Sequence, residues 1–130
     1  MKTILIADDN SDFRDMLREF LEANDYLTME ATDGQQAVEM AARARPDLIL
    51  MDLGLPETDG LSAVTAIREH ITTDEMPILI VSAYDRLEYR TEAISAGCSG
   101  YINKPIDLTA LLKTINLLLR PEEGVEEAFA

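Results

Sequence analysis

The sequence predicts a doubly wound α/β fold, a five-stranded parallel sheet with five flanking helices. Three observations predict it. Short apolar runs alternate strictly with amphipathic helical patterns, five times over. The first, third and fourth runs are continuously apolar, as parallel strands covered on both faces must be. The chain has 130 residues, of which 47% are hydrophobic, enough for one domain with a real core.

The elements follow in order. "TILIA", residues 3–7, is the first strand. Phe13, Met16, Leu17, Phe20 and Leu21 recur at the spacing of one buried helical face, and Ser11 is the expected N-cap of that helix. "YLTMEAT" alternates as a second strand, and Asp33 caps a helix bearing Ala37, Val38, Met40 and Ala41. "DLILM" is the third strand, and Asp59 is expected to cap the helix marked by Leu61, Val64, Ile67, Arg68 and Ile71. "PILIVS" is the fourth strand, with a weaker helical pattern from about residue 85 to 96. There Tyr89 falls opposite Leu87, Thr91 and Ile94, which makes it an exposed candidate for partner contact. "GYIN" is a short fifth strand. Asp107 then caps a last helix carrying Leu108, Leu111, Leu112, Ile115, Leu118 and Leu119. Residues 1–120 thus form one domain, and residues 121–130, "PEEGVEEAFA", read as an acidic solvated tail.

Composition excludes several classes. With 11 basic and 25 acidic residues the net charge is −14, which disfavours direct nucleic-acid binding and suits a divalent cation or a basic partner surface. No apolar run approaches the roughly 20 residues needed to span a bilayer. The N-terminus is not a signal peptide, and the single cysteine fits a reducing, cytoplasmic setting. That residue, Cys98, lies in the tight "AGCSG" turn, where packing is the expected role. The lone histidine, His70, is expected on the surface near the end of the third helix. None of the six glycines forms a P-loop or a G-x-G-x-x-G pattern.

In an open α/β sheet, ligands bind at the carboxyl ends of the strands. The first strand ends in Asp8 and Asp9, the third in Asp52, the fourth in Ser82 and the fifth in Lys104. Clustered carboxylates raise one another's pKa unless a cation offsets them. Mg²⁺ suits such a set, because it takes a few carboxylates and bridges to phosphate oxygens. Asp52 could then stay ionised and attack phosphorus, with Lys104 and Ser82 stabilising the transferred group.

"ADDN", "MDLGLPETDG", "VSAY" and "AGCSGYINKPI" stand in an order and spacing that resemble the receiver domains of bacterial two-component response regulators, over residues 2 to about 120. The resemblance implies the flavodoxin-like strand order 2-1-3-4-5. It implies that Asp52 is the phosphoacceptor. Asp9 would be a direct Mg²⁺ ligand, Asp8 would act largely through water, and the Gly54 carbonyl would be a further ligand. Lys104 would pair with the phosphoryl group across a cis Lys104–Pro105 bond, Ser82 would hydrogen-bond it, and Tyr101 would be the switch aromatic. The implied partners are a histidine kinase or phosphotransfer protein, and a downstream protein that reads the face formed by the fourth helix, fifth strand and fifth helix. Such a domain promotes its own phosphorylation and dephosphorylation without being an enzyme that turns over a substrate. Gly54 and the bulky Tyr84 occupy positions that tune the attack of water, which implies an atypical phosphoryl lifetime.

Two other readings stand beside this one. A phosphatase of the haloacid dehalogenase type also uses an Asp nucleophile, a Lys and Mg²⁺. It needs a general acid two residues after the nucleophile, where this chain has Gly54, and a cap domain for which there is no room. A non-phosphorylated interaction domain would keep the fold alone, against which the intact Asp8, Asp9, Asp52 and Lys104 argue. Nothing after Arg120 is expected to fold as a DNA-binding module, so the chain is either a stand-alone receiver or a piece of a larger regulator.

Overall fold

A computed structural model describes residues 1–72 and 75–120. The strands are β1 (Thr3–Ala7), β2 (Leu27–Ala31), β3 (Leu48–Met51), β4 (Ile78–Ser82) and β5 (Gly100–Asn103). The helices are α1 (Ser11–Ala23), α2 (Gly34–Ala44), α3 (Gly60–Arg68), α4 (Leu87–Ala96) and α5 (Leu108–Leu119). All strand pairs are parallel and the order is β2-β1-β3-β4-β5, as expected.

That order explains the three continuous apolar runs. β1, β3 and β4 are the inner strands, so successive side chains face two different cores. Ile4, Ile6, Leu48, Leu50, Leu79 and Val81 pack with Leu17 and Leu21 of α1 and Leu111 and Ile115 of α5. Their alternate neighbours, Leu5, Ala7, Ile49, Met51, Ile78 and Ile80, pack toward α2, α3 and α4 through residues such as Ala37, Val64 and Ala93. The outer strands are wetter. Leu27 of β2 is half exposed, and every residue of β5 is partly exposed. No described helix is long and apolar enough to cross a membrane.

Helix starts follow the capping chemistry, with one change of residue. Asp33, Asp59 and Asp107 cap α2, α3 and α5 through their carboxylates, as expected. α1 is capped by Asn10 rather than by Ser11: the Asn10 side-chain oxygen accepts the Phe13 N–H at 3.0 Å, and Ser11 is already the first helical residue. α3 ends at Arg68, so Ile71 lies beyond the helix, although it is buried.

The expected orientation of α4 is reversed. Leu87 and Ile94 are exposed, at 76% and 66%, while Ala93 is fully buried and Tyr89 packs against the core. Tyr89 is therefore no free aromatic: its ring lies 4.9 Å from that of Tyr84. Small residues let α4 sit close to α3, and the large aliphatic side chains are left outside. Apolar residues are not obliged to be buried, which is why size alone pointed to the wrong face. Arg86 stands at the N-cap of α4 without a side-chain cap bond, which is consistent with the weak signal in the sequence. The expected tail at 121–130 lies outside the described residues.

Candidate functional site

The parallel ladder does not stop where the strands end. The Asp8 N–H donates to the Ala31 carbonyl at 3.1 Å, the Asp52 N–H to Ala7 at 3.0 Å and the Lys104 N–H to Ser82 at 2.8 Å. Each of these residues thus leaves the sheet on a backbone still held by a neighbouring strand. This is how side chains distant in sequence arrive at one edge with fixed relative positions.

At that edge Asp8, Asp9 and Asp52 offer carboxylate oxygens that all lie within 4.8 Å of one another. Asp8 is buried, Asp52 partly buried and Asp9 exposed. The Lys104 ammonium reaches the Asp8 carboxylate at 2.8 Å and Asp52 at 3.9 Å, and it sits 4.2 Å from the centre of the Phe13 ring. The Lys104–Pro105 bond is cis, as expected.

The Asp52 carboxyl is held above its ordinary range. Burial is the first cause, and Asp8 and Asp9 add repulsion. Lys104 and the Gly54 backbone oppose it without cancelling it. A single ammonium therefore leaves this three-carboxylate set short of positive charge. Its all-oxygen chemistry suits a small hard cation such as Mg²⁺.

Ser82 is buried at the end of β4, and its hydroxyl accepts the Tyr84 N–H at 3.2 Å. Tyr101 of β5 donates its hydroxyl to the Tyr84 carbonyl, which also accepts the Asn103 amide at 3.0 Å. Arg90 of α4 lies 4.7 Å from the centre of the Tyr101 ring and donates to Asn103. Burial, opposed by the Ser82 hydroxyl and Arg90, raises the Tyr101 phenol.

Gly54 sits in the turn beyond Asp52. A Cβ there would lie 3.4 Å from the Tyr84 hydroxyl and 3.7 Å from Asp52 Oδ2. The space beside the nucleophile candidate that a side chain at position 54 would fill is thus bordered by Tyr84. The same loop is pinned from outside. Gly34 donates its N–H to the Pro56 carbonyl at 3.2 Å, and Gly60 donates to Leu53 at 3.1 Å. A Cβ on Gly34 would fall 1.6 Å from the Thr58 carbonyl oxygen, and one on Gly60 would fall 2.3 Å from the Asp52 carbonyl oxygen.

Asp8, Asp9, Asp52 and Lys104 are thus brought together, with Ser82 and Tyr101 joined to one another through the backbone of Tyr84. His70 is exposed, and Cys98 is half buried with its thiol raised by burial. Sequence reasoning missed Asn10, whose N–H donates to Asp8 Oδ1 at 2.9 Å, and Arg14, which donates to the Asp8 carbonyl at 2.8 Å. It also missed the Arg90–Asn103 contact. Only Asn10 carried a local signal, as a capping residue type directly after the acid pair.

A family model described as "Response regulator receiver domain" matches residues 4–116. The chain is 39% identical over 126 residues to the response regulator MprA of Mycobacterium leprae (strain TN), covering 95% of this chain and 54% of that protein. It is 36% identical over 130 residues to MprA of Mycolicibacterium vanbaalenii, covering 98% and 55% respectively. The chain therefore spans about half the length of the curated relatives it matches. Among solved structures, a CheY-like receiver domain protein from Methanospirillum hungatei JF-1 superposes with a TM-score of 0.88 at 27% identity, covering 95% of this chain and 97% of that one. The Francisella response regulator 1452 receiver domain gives 0.86 at 28% identity, with coverages of 94% and 99%.

Proposed function

Because the chain belongs to the response regulator receiver domains of two-component signalling, we propose that it is a phosphorylation-dependent switch whose phosphoacceptor is Asp52. The observation that carries this reading is the convergence of Asp8, Asp9 and Asp52 within 4.8 Å, with Lys104 in reach of both Asp8 and Asp52. Residues 1–120 are the signalling unit in this reading.

Asp8, Asp9, Asp52 and the Gly54 carbonyl would hold Mg²⁺, which when bound neutralises charge on the carboxylates and on phosphoryl oxygens. The donor is a phosphohistidine of a histidine kinase or phosphotransfer protein. An Asp52 carboxylate oxygen forms a bond to phosphorus, the P–N bond breaks, and the electron pair leaves with the imidazole. Lys104 lies close enough to exchange part of its pairing with Asp8 for a phosphoryl oxygen. Ser82 gives up its acceptor role toward Tyr84 and donates its hydroxyl to the phosphoryl group. The Tyr84 carbonyl is tied to both Tyr101 and Asn103, so this movement passes into β5 and, through Arg90, into α4. The modified site carries about −1.5 to −2 charges more than a neutral side chain. The switch works only to the extent that this group bonds better in one arrangement than in the other. The face of α4, β5 and α5 then changes its affinity for a downstream protein. In this reading the switch is cytoplasmic and touches neither nucleic acid nor membrane.

Acetyl phosphate and Mg²⁺ test the reading directly. Intact mass is expected to rise by one phosphoryl group, labile to acid and base, in the wild-type chain and not in Asp52→Ala. Equal incorporation in Asp52→Ala, or none in either, would sink it. A pulldown with and without beryllofluoride then separates partners that depend on the active state from those that do not.

A further inference from the structure

We propose that Arg14 is a positioning residue for the acid pair: it anchors the Asp8–Asp9 peptide to β2 through Glu30, and so sets the divalent-cation affinity of the site. The proposal rests on the metal reading given above.

Asp8 is held at four points. Its N–H donates to Ala31 at 3.1 Å, its Oδ1 accepts the Asn10 N–H at 2.9 Å and its Oδ2 accepts Lys104 at 2.8 Å. The fourth point is its carbonyl, which accepts Arg14 Nη1 at 2.8 Å. Asp9 is held quite differently. It is exposed, and no hydrogen bond fixes its carboxylate among the described residues. Its aim therefore depends on the backbone from which it projects. A peptide unit is planar, so the Asp8 carbonyl and the Asp9 N–H belong to one rigid plate. A bond that fixes that carbonyl fixes the plate on which Asp9 begins.

Arg14 can do this because its guanidinium has a second attachment. Its Nε donates to Glu30 Oε1 at 3.0 Å, with the Arg14 side chain 13% exposed. Glu30 is registered opposite Ile6 in the β1–β2 pair, and its other oxygen accepts Arg18 Nη1 at 3.1 Å. A planar fork holds its two donors in a fixed geometry that bridges a strand and a loop, whereas the rotatable donors of a lysine ammonium are not pre-organised in that way. On the β2 side the guanidinium pairs with Glu30, and it meets the acid pair at the Asp8 carbonyl, not at a carboxylate, so Arg14 acts on the acids through their backbone. Groups that orient metal ligands typically change metal affinity by about 10–100-fold when removed.

The test is calorimetric titration of Mg²⁺ into the whole chain, wild type against Arg14→Lys, Arg14→Met and Arg18→Lys. Arg14→Lys keeps the charge but loses the two-way fork, and Arg14→Met keeps the aliphatic bulk and loses both donors. Both are expected to raise the Kd for Mg²⁺ by roughly tenfold or more. Both are also expected to shift the Mg²⁺ concentration giving half-maximal phosphorylation by acetyl phosphate, while the rate at saturating Mg²⁺ returns to the wild-type value. Arg18→Lys perturbs the same Glu30 without touching Asp8, and should bind Mg²⁺ like wild type. A wild-type Kd in both Arg14 variants would overturn the proposal. So would equal weakening by Arg18→Lys, or loss of metal-free folding in both Arg14 variants, either of which assigns a structural role. If the wild-type chain itself takes up no Mg²⁺, the metal reading fails first, and that result is distinct from the other three.

Discussion

At Asp52 the cost of the site is visible in a single group. Burial lifts its carboxyl above the ordinary value of 3.8, and Asp8 and Asp9 push the same way. Without a cation, the folded chain therefore holds this proton to a higher pH than the unfolded chain does. The group's contribution to stability is full below the unfolded value and is lost as pH rises through the raised folded value. Asp52→Asn removes the ionisation, so in metal-free buffer at pH 7–8 it is expected to melt above wild type. The gap should close as the pH falls toward about 4, the unfolded value. Thermal unfolding across that range checks it, and a gap independent of pH would deny the strain. The residue types at this edge were readable from the sequence, because a strand that ends abruptly on an acid is a local event. Arg14, Arg90 and Asn103 were not readable, because their partners are remote along the chain: Arg14 bonds to residue 30, and Arg90 to residue 103.

Among the elements, α4 separates what periodicity can and cannot say. The existence of all ten elements was legible, and β1 and β5 have the predicted limits, since each strand or helix carries its own repeat. The face that α4 buries was not legible, because Ala93 and Tyr89 pack inward while Leu87 and Ile94 face water. This reversal has a measurable consequence. Leu87→Ala is expected to change unfolding free energy by no more than about 0.5 kcal/mol. Tyr89→Ala removes a partly buried ring that packs at a tilt against Tyr84, and should cost about 1–2 kcal/mol. Denaturant melts of the two variants decide the matter, and a larger loss from Leu87→Ala would restore the orientation expected from sequence. The N-cap shift from Ser11 to Asn10 has a similar origin. Both are good capping residues, and it is Asn10 that takes the terminus: its side-chain oxygen accepts the Phe13 N–H while its own N–H is bound to Asp8.

For the whole molecule, the sheet and the site are one construction. The inner position of β1, β3 and β4 was implied by their unbroken apolar runs. The full order 2-1-3-4-5 came from family resemblance, since no strand's own residues say which neighbour it takes. A molecule that gathers carboxylates at one edge should be stabilised globally by whatever neutralises them. Mg²⁺ at about 100 times its Kd is expected to add about 2.7 kcal/mol to the unfolding free energy. Thermal melts with and without Mg²⁺ measure this. Asp9→Asn should blunt the gain while leaving the metal-free melt nearly unchanged, because Asp9 is exposed. The close approach at Gly34 bears on a different matter, the portability of the site. Gly34 opens α2, a helix that contributes no side chain to the acid cluster, yet its missing Cβ is what admits the Thr58 carbonyl, and its N–H holds Pro56 in place. The loop after Asp52 is therefore shaped by a neighbour that comes earlier in the chain. Transplanting residues 52–60 onto another parallel sheet would carry over the acid and its turn but leave behind the surface they are moulded against. The smallest unit that can be moved intact is the whole carboxyl edge of the sheet, with the start of α2 included.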